Sequence, residues 1–336
     1  MSAVELLYQT ATAKAEGRTL IINTQADSLL LTLSAQCPQL DLQQHFKPEY
    51  AAIQRMGLAA SETLSGFDAA YDLIVLLAAK NKQQTLGWMA EAMKLLQDNG
   101  ILLMACANKH GAKSYESALH MLAGNIASRC QSKCRIFSAK KTALLDHILL
   151  DQWVDSAQAK SIPTHGLISQ PGLFSWNHAD SGSQLLLDHL PHDFSGTGMD
   201  LCCGYGLLAE HLLHTSPDID TLHLVEADQL ALNCAEYNTR TWAQKIQSHW
   251  RDAAHDPLPK QLDWIICNPP FHTGQQRDVG LGQGIVQRAC QSLKRGGRLY
   301  VVANRKLPYE ALMHTGLKHC DTVVEADGFK IIKGIR

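Results

Sequence analysis

The chain has 336 residues, 46% of them apolar and 18% charged, and its 30 basic and 32 acidic side chains leave a net charge of −2. That is about twice the usual domain length of roughly 150 residues, so two packed domains are expected, and the apolar share excludes a disordered chain. The near-neutral balance supplies no global attraction for nucleic acid, so any RNA contact must rest on local patches.

Met1 to Thr10 (MSAVELLYQT) lacks the basic segment and long apolar run of a secretion signal, and no uncharged apolar stretch of about 18 residues follows. Neither secretion nor membrane spanning is expected. In the first half, Thr19–Asn23, Tyr71–Leu77, Gly100–Ala107 and Cys134–Phe137 read as strands, and Gln83–Gln97 and Ser114–Asn125 as amphipathic helices. The small, polar stretch SAQAKSIPTHG (156–166), with Pro163 and Gly166, marks a boundary, which gives domains at 1–160 and 161–336. In the second half, strands at Gly198–Leu201, Leu222–Glu226, Leu262–Cys267 and Arg298–Ala303 alternate with helices such as Leu207–His214 and Gln229–Thr241. Both halves carry the punctuation of a doubly wound, mostly parallel α/β sheet, so two tandem Rossmann-like domains are expected. The ten cysteines include no CxxC pair, and most lie in apolar patterns, which fits reduced, buried thiols in a cytoplasm. Cys130 and Cys134 have no second ligand pair at metal spacing, so no zinc is expected.

The halves also resemble one another. YDLIVLLAAKNK (71–82) lines up with LDWIICNPPFHT (262–273), placing Asp72 over Asp263, and NGILLMACANK (99–109) lies over RGGRLYVVANR (295–305). A duplicated domain accounts for this, with convergence of two ordinary α/β domains as the alternative. Where the second copy has DLCCGYG (200–206) the first has IINTQAD (21–27), and where the second has NPPF the first has LAAK. The first copy reads as having lost the reaction.

Three features of the second copy carry chemistry. Met199 to Gly206 leaves a strand and enters a helix, the place where an α/β sheet binds a nucleotide-like ligand. Glu226 then ends the next strand at the distance where a carboxylate accepts hydrogen bonds from both ribose hydroxyls. Asp252, in HWRDAA, falls where a third strand ends, and reads either as an acceptor for an adenine amine or as a helix N-cap. The sharpest motif is Asn268-Pro269-Pro270-Phe271 after the strand LDWIIC. Two successive prolines fix a rigid loop at the sheet edge, aiming the Asn268 amide oxygen and the Pro269 carbonyl at one point. Those acceptors suit an exocyclic NH2, whose lone pair they orient toward an incoming methyl group, and Phe271 can stack on the base. His272 is not needed as a base, because the amine turns strongly acidic only after methyl transfer. Cys267, in the preceding strand, reads as a buried thiol and not a nucleophile.

DxxxGxG, VEAD and NPPF in this order resemble class I S-adenosylmethionine-dependent methyltransferases acting on amino nitrogens. GLISQPGLFSWNHADSGSQLLLDHL (166–190), NPPFHTG, VVANRKLPYEALM (301–313) and GFKIIKGIR narrow this, being similar to the bacterial ribosomal RNA small subunit methyltransferase C family, which modifies a guanine N2 in 16S rRNA. AKNK and ANKHG in the first half fit that family's catalytically silent amino-terminal domain. The resemblance implies that Asp200, Gly204, Gly206, Glu226 and Asp252 bind S-adenosylmethionine and that Asn268, Pro269 and Phe271 hold the guanine. It also implies a substrate-binding role for the first domain, and a 16S rRNA partner within the small subunit or an assembly intermediate. The chain departs from the family's DxGxGxG at Cys202, which stands where the first glycine would be and joins the cofactor-binding set. Phe174, with Ser183 to Leu187, reads as a loop and helix covering the cofactor, with a plain core helix as the rival. A monomer is expected.

Candidate phosphate contacts are Lys80, Lys82, Lys109, the run Arg129, Lys133, Arg135, Lys140 and Lys141, and Arg305 with Lys306. The competing functions are a large-subunit guanine-N2 methyltransferase, methylation of a protein glutamine or an adenine N6, and a noncatalytic RNA-binding assembly factor.

Overall fold

A computed structural model describes the chain except residues 69, 271, 274, 275 and 278 and the side chains of 272, 273, 276, 277 and 279. The chain divides into two compact units, Met1–Gln158 and Ala159–Arg336. No helix among the described residues is long and apolar enough to cross a membrane.

The first unit runs α1 (Ala3–Thr12), β1 (Arg18–Ile22), α2 (Ser28–Gln36), β2 (Gln39–Leu42), α3 (Lys47–Arg55), β3 (Tyr71–Leu77), α4 (Lys82–Leu95), β4 (Leu96–Ala107), α5 (Ala112–Ala123), β5 (Ile126–Gln131), β6 (Cys134–Lys140) and α6 (His147–Ala157). Its sheet has the order β2-β1-β3-β4-β6-β5, parallel up to β4 and antiparallel beyond. The second unit begins with a short pair, β7 (Lys160–Ser161) and β8 (Ile168–Ser169), then α7 (Ser181–Leu187). It continues through β9 (Gly196–Leu201), α8 (Leu207–Thr215), β10 (Ile219–Glu226), α9 (Gln229–Asn238), β11 (Ile246–Trp250) and β12 (Leu262–Cys267). The pair β13 (His272–Thr273) and β14 (Gln276–Arg277) leads to α10 (Val279–Ser292), β15 (Leu293–Asn304), α11 (Tyr309–Gly316), β16 (His319–Ala326) and β17 (Phe329–Ile335). Its sheet, β11-β10-β9-β12-β15-β17-β16, repeats the order of the first with β11 added at the outer edge. In the first unit, a single bridge from Gln43 to Ser61 stands in that place.

Alternate residues of each sheet feed cores on opposite faces, as both-side burial of a parallel sheet requires. Leu20, Ile74 and Leu102 face one core of the first unit and Ile21, Leu73 and Leu103 the other, while Met199, Ile265 and Leu299 oppose Leu224, Ile266 and Tyr300 in the second.

Paired local devices reveal the duplication. Asp72 accepts from the Arg18 amide at 2.8 Å and Asp263 from the Thr197 amide at 2.9 Å. Arg135 pairs with Glu116 at 2.6 Å, as Lys330 pairs with Glu310 at 2.5 Å. The alignment of β4 with β15 shifts by one residue from the sequence reading. A Cβ on Gly100 would meet the Tyr71 carbonyl at 2.7 Å and one on Gly297 the Leu262 carbonyl at 2.8 Å, so Gly100 is equivalent to Gly297 and not to Gly296. The ladders agree, since Leu73 faces Ile101 as Trp264 faces Arg298.

Gly198 on β9 lies beside Trp264 on β12, the two strands whose ends carry the site. The fully buried indole covers Gly198 so closely that a Cβ there would sit 2.1 Å from its ring, and its Nε1 donates to the Ser195 carbonyl at 3.0 Å. Gly198→Ala is expected to destabilise the second unit by about 1–3 kcal/mol through overpacking, read as a lower urea midpoint. An unchanged midpoint would show that the indole can move aside.

Candidate functional site

The turn after β9 is built on left-handed backbone at three of five residues: Cys202 at φ 63°, Gly204 at 55° and Gly206 at 86°. The Cys202 and Cys203 amides donate to the Val225 carbonyl at 2.9 and 3.2 Å, anchoring the turn to the end of β10. At Gly206 a side chain is also excluded by packing, because a Cβ would approach Ala235 Cα on α9 to 3.0 Å, while beside Gly204 the space is open. Cys202 therefore keeps the conformation that glycine adopts freely, at a strain of about 1–2 kcal/mol. Its thiol lies beside that of fully buried Cys267, and this contact and burial hold it well above the ordinary thiol range, so it is no nucleophile at neutral pH.

Glu226 braces the same turn. Its Oε2 accepts from the Gly204 amide at 2.8 Å, and its Oε1 from the amides of Ala227 at 2.8 Å and Asp228 at 3.1 Å. Burial pushes this carboxyl up, against the opposing pull of those amides. Asp200, at the end of β9, is fully buried, and neither of its oxygens makes a hydrogen bond. Burial above all, and then the neighbouring Glu226 charge, push its carboxyl up to about 8, with the Ala209 amide opposing. Asp200 is thus largely protonated at neutral pH. Asp252 is used by its own turn: it accepts from the Ala254 amide at 2.9 Å and pairs with His255 at 2.7 Å, the capping arrangement that was the alternative to an adenine contact.

Asn268 follows β12, and its Nδ2 donates to Asp180 Oδ2 at 3.0 Å and to Ser183 Oγ at 2.8 Å. Asp180 caps α7 by accepting from the Ser183 amide at 2.9 Å. Asn268, Asp180, Ser183, Cys202, Gly204 and Phe174 line one cleft, and Phe174 stands 63% exposed beside it, a large apolar ring in water. Sequence reasoning missed Asp180, whose signal was the capping spacing of Asp180 to Ser183 ahead of the apolar run Leu185–Leu187. It also missed the support beneath the proline loop. Buried Gly282 leaves room for the Tyr309 hydroxyl, and its missing Cβ would lie 3.3 Å from the Pro270 carbonyl. Phe271 and the His272 side chain lie outside the described residues.

The run of bases from 129 to 141 does not form the open patch its sequence suggests. Arg135 is taken by Glu116, Lys141 by the carbonyls of Lys94 and Leu96 at 3.2 and 2.6 Å, and Arg129 donates to Thr10 at 3.2 Å. Lys133 and Lys140 stay exposed, as do Lys80, Lys82 and Lys109, which follow the carboxyl ends of β3 and β4. In the second unit Arg305 pairs with Glu325 at 4.0 Å, and Lys306 beside it is exposed.

The Methyltransferase small domain family matches residues 164–333, and the Methyltransferase small domain N-terminal family residues 5–157. Among curated relatives, the ribosomal RNA small subunit methyltransferase C of Yersinia pseudotuberculosis is 30% identical over 278 residues, covering 82% of this chain and 76% of its own. Its Acinetobacter baylyi namesake is 25% identical over 317 residues, 93% of each chain. The solved structure of the T. thermophilus 16S rRNA N2 G1207 methyltransferase with AdoMet and guanosine superposes with a TM-score of 0.79 at 22% identity, covering 98% of this chain and 92% of that one.

The raised Asp200 carboxyl has a measurable consequence. A group that binds its proton more tightly folded than unfolded adds stability in full below its unfolded value near 3.8, and that share is lost as pH rises through about 8. Urea unfolding is therefore expected to weaken by about a few kcal/mol between pH 5 and pH 8, and Asp200→Asn, neutral throughout, to flatten that slope. Equal slopes for both proteins would mean that Asp200 finds a charge partner.

Proposed function

The chain belongs to the ribosomal RNA small subunit methyltransferase C family, and from that premise we propose that it transfers the methyl group of S-adenosylmethionine to the exocyclic N2 of a guanine in 16S rRNA. The observation that carries this reading is the single cleft in which Asn268, on its proline loop, meets the Gly204 turn and the exposed Phe174 ring.

The residues suit the cofactor. Open space beside Gly204 lets a ligand approach the backbone, and Asp200 holds two oxygens without a partner. Glu226 has roughly four acceptor sites, and three backbone amides fill three of them, so one ribose hydroxyl, not both, is its share. S-adenosylmethionine supplies an electrophilic methyl on a sulfonium. The protein's task is to present the amine. Guanine N2 is a weak nucleophile because its lone pair is delocalised into the ring; Asn268 Oδ1 and the Pro269 carbonyl, accepting its two hydrogens, turn that lone pair toward the methyl carbon, with Phe174 offering an apolar face. The nitrogen–carbon bond forms as the carbon–sulfur bond breaks, and the acidic product amine gives its proton to water.

In the first unit the equivalent cleft is closed. Asn23, at φ 58° in the place of Cys202, donates through Nδ2 to the carbonyl of Leu77, which stands in the place of Asn268, at 3.0 Å. Gln44 replaces Glu226: it accepts from the Phe46 amide at 2.7 Å and donates to the Thr24 carbonyl at 2.6 Å. This unit is read as silent toward cofactor and as a binder of RNA through exposed Lys80, Lys82, Lys109, Lys133 and Lys140. The protein acts in the cytoplasm as a monomer, on 16S rRNA within the small subunit or an assembly intermediate.

Asn268→Ala is expected to slow methyl incorporation into small-subunit rRNA by about 100-fold or more, the scale for one preorganised polar group, with cofactor affinity within a few-fold. Wild-type turnover in that variant would sink the assignment. Calorimetry with S-adenosylhomocysteine should give one site per chain, and two sites would overturn the silence of the first unit. Glu226→Ala removes the brace of the turn as well as a ribose acceptor, so cofactor binding is expected to weaken by about 100-fold. Equal affinities would place the ribose elsewhere.

A further inference from the structure

We propose that Asp180 and Ser183 are positioning residues for methyl transfer, fixing which end of the Asn268 amide faces the substrate amine. This rests on Asn268 being the amine acceptor. The proline loop fixes the backbone of Asn268, but an amide's oxygen and nitrogen are nearly isosteric and its terminal torsion is roughly two-fold, so the loop leaves the two ends of the side chain interchangeable. The partners decide. An ionised carboxylate only accepts, so Asp180 Oδ2, 3.0 Å away, selects the Nδ2 end, and Ser183 Oγ at 2.8 Å takes the second hydrogen. Turning the amide over would set Oδ1 against the carboxylate, lone pair to lone pair.

Asp180 is itself held. As the N-cap of α7 its Oδ2 also accepts from the Ser183 amide at 2.9 Å, and a Cβ on intervening Gly182 would lie 3.1 Å from both that oxygen and the Phe329 ring. With both Nδ2 hydrogens taken, Asn268 offers Oδ1 alone to the cleft, and this pure acceptor matches an NH2 group and repels a carbonyl. The same pair of residues thus selects for an amine over an oxygen-bearing base edge.

The conservative variants leave the helix cap in place, since Asn caps as well as Asp and Ser183 contributes to the cap through its backbone. In full-length protein, with small ribosomal subunits from cells lacking the enzyme as substrate, Asp180→Asn and Ser183→Ala are each expected to lower kcat about tenfold. The KM for the subunits and the S-adenosylhomocysteine Kd should stay within about twofold. In an Asn268→Ala background neither change should lower kcat further, because there is no amide left to orient. An unchanged kcat in the single variants, or a further loss in the Asn268→Ala background, overturns the proposal. Absence of transfer by the unmutated chain overturns the functional reading and this proposal with it, whereas normal transfer by the wild type and by Asp180→Asn overturns this proposal alone.

Discussion

The Glu226 carboxylate is the tie on which the cleft depends. It gathers amides from the turn after β9 and from the residues just beyond β10, so one side chain fixes the spacing of two adjacent strand ends. Three donors make the charged form tolerable at a buried site, whereas Asp200, one strand over, has none within hydrogen-bonding reach. Two carboxyls this close do not both ionise readily, and the donors decide that the charge sits on Glu226. The protonated Asp200 is thereby a product of the brace and not an independent feature.

The two units separate what a fold needs from what a reaction needs. The Asp72 and Asp263 contacts, the tight glycines Gly100 and Gly297, and the ion pairs of Arg135 and Lys330 hold strand positions, and both copies retain them. Even the brace persists in the first unit, where Gln44 performs it as a neutral amide. What changes lies at the carboxyl edge: Leu77 has no polar side chain to offer where Asn268 stands, and Asn23 bridges the gap a ligand would enter. Divergence confined to that edge is expected of a domain whose stability is still required after its chemistry is not.

The elements were legible where period and punctuation agreed. Apolar runs of strand length ending in an acid, a glycine turn or a proline pair placed β9, β10 and β12 within a few residues. The one-residue slip between β4 and β15 was not legible, because Gly296 and Gly297 adjoin and a string alignment cannot tell which one tucks under the neighbouring carbonyl. The link between Asp180 and Asn268 spans 88 residues and leaves only a helix-capping signature, which is common to many helices. The cluster of bases from 129 to 141 misled for a related reason, since charge spacing records which side chains are basic and says nothing of the acids and carbonyls that fold against them.

Cys202 shows how far a motif can depart without moving the backbone. Glycine is favoured at such a turn because left-handed φ strains any residue with a Cβ, yet the chain follows that path here at φ 63°. The strain is offset by the place the side chain finds: it packs against the core that holds Cys267, Leu201 and Val301, and the two thiols adjoin beneath the turn. A small, polarisable side chain suits that gap, whereas a β-branched one would meet both the torsional penalty and the strand below. The amides that anchor the turn to Val225 remain in place, so the substitution alters what lies under the turn and leaves the ligand-facing Gly204 backbone on its own course.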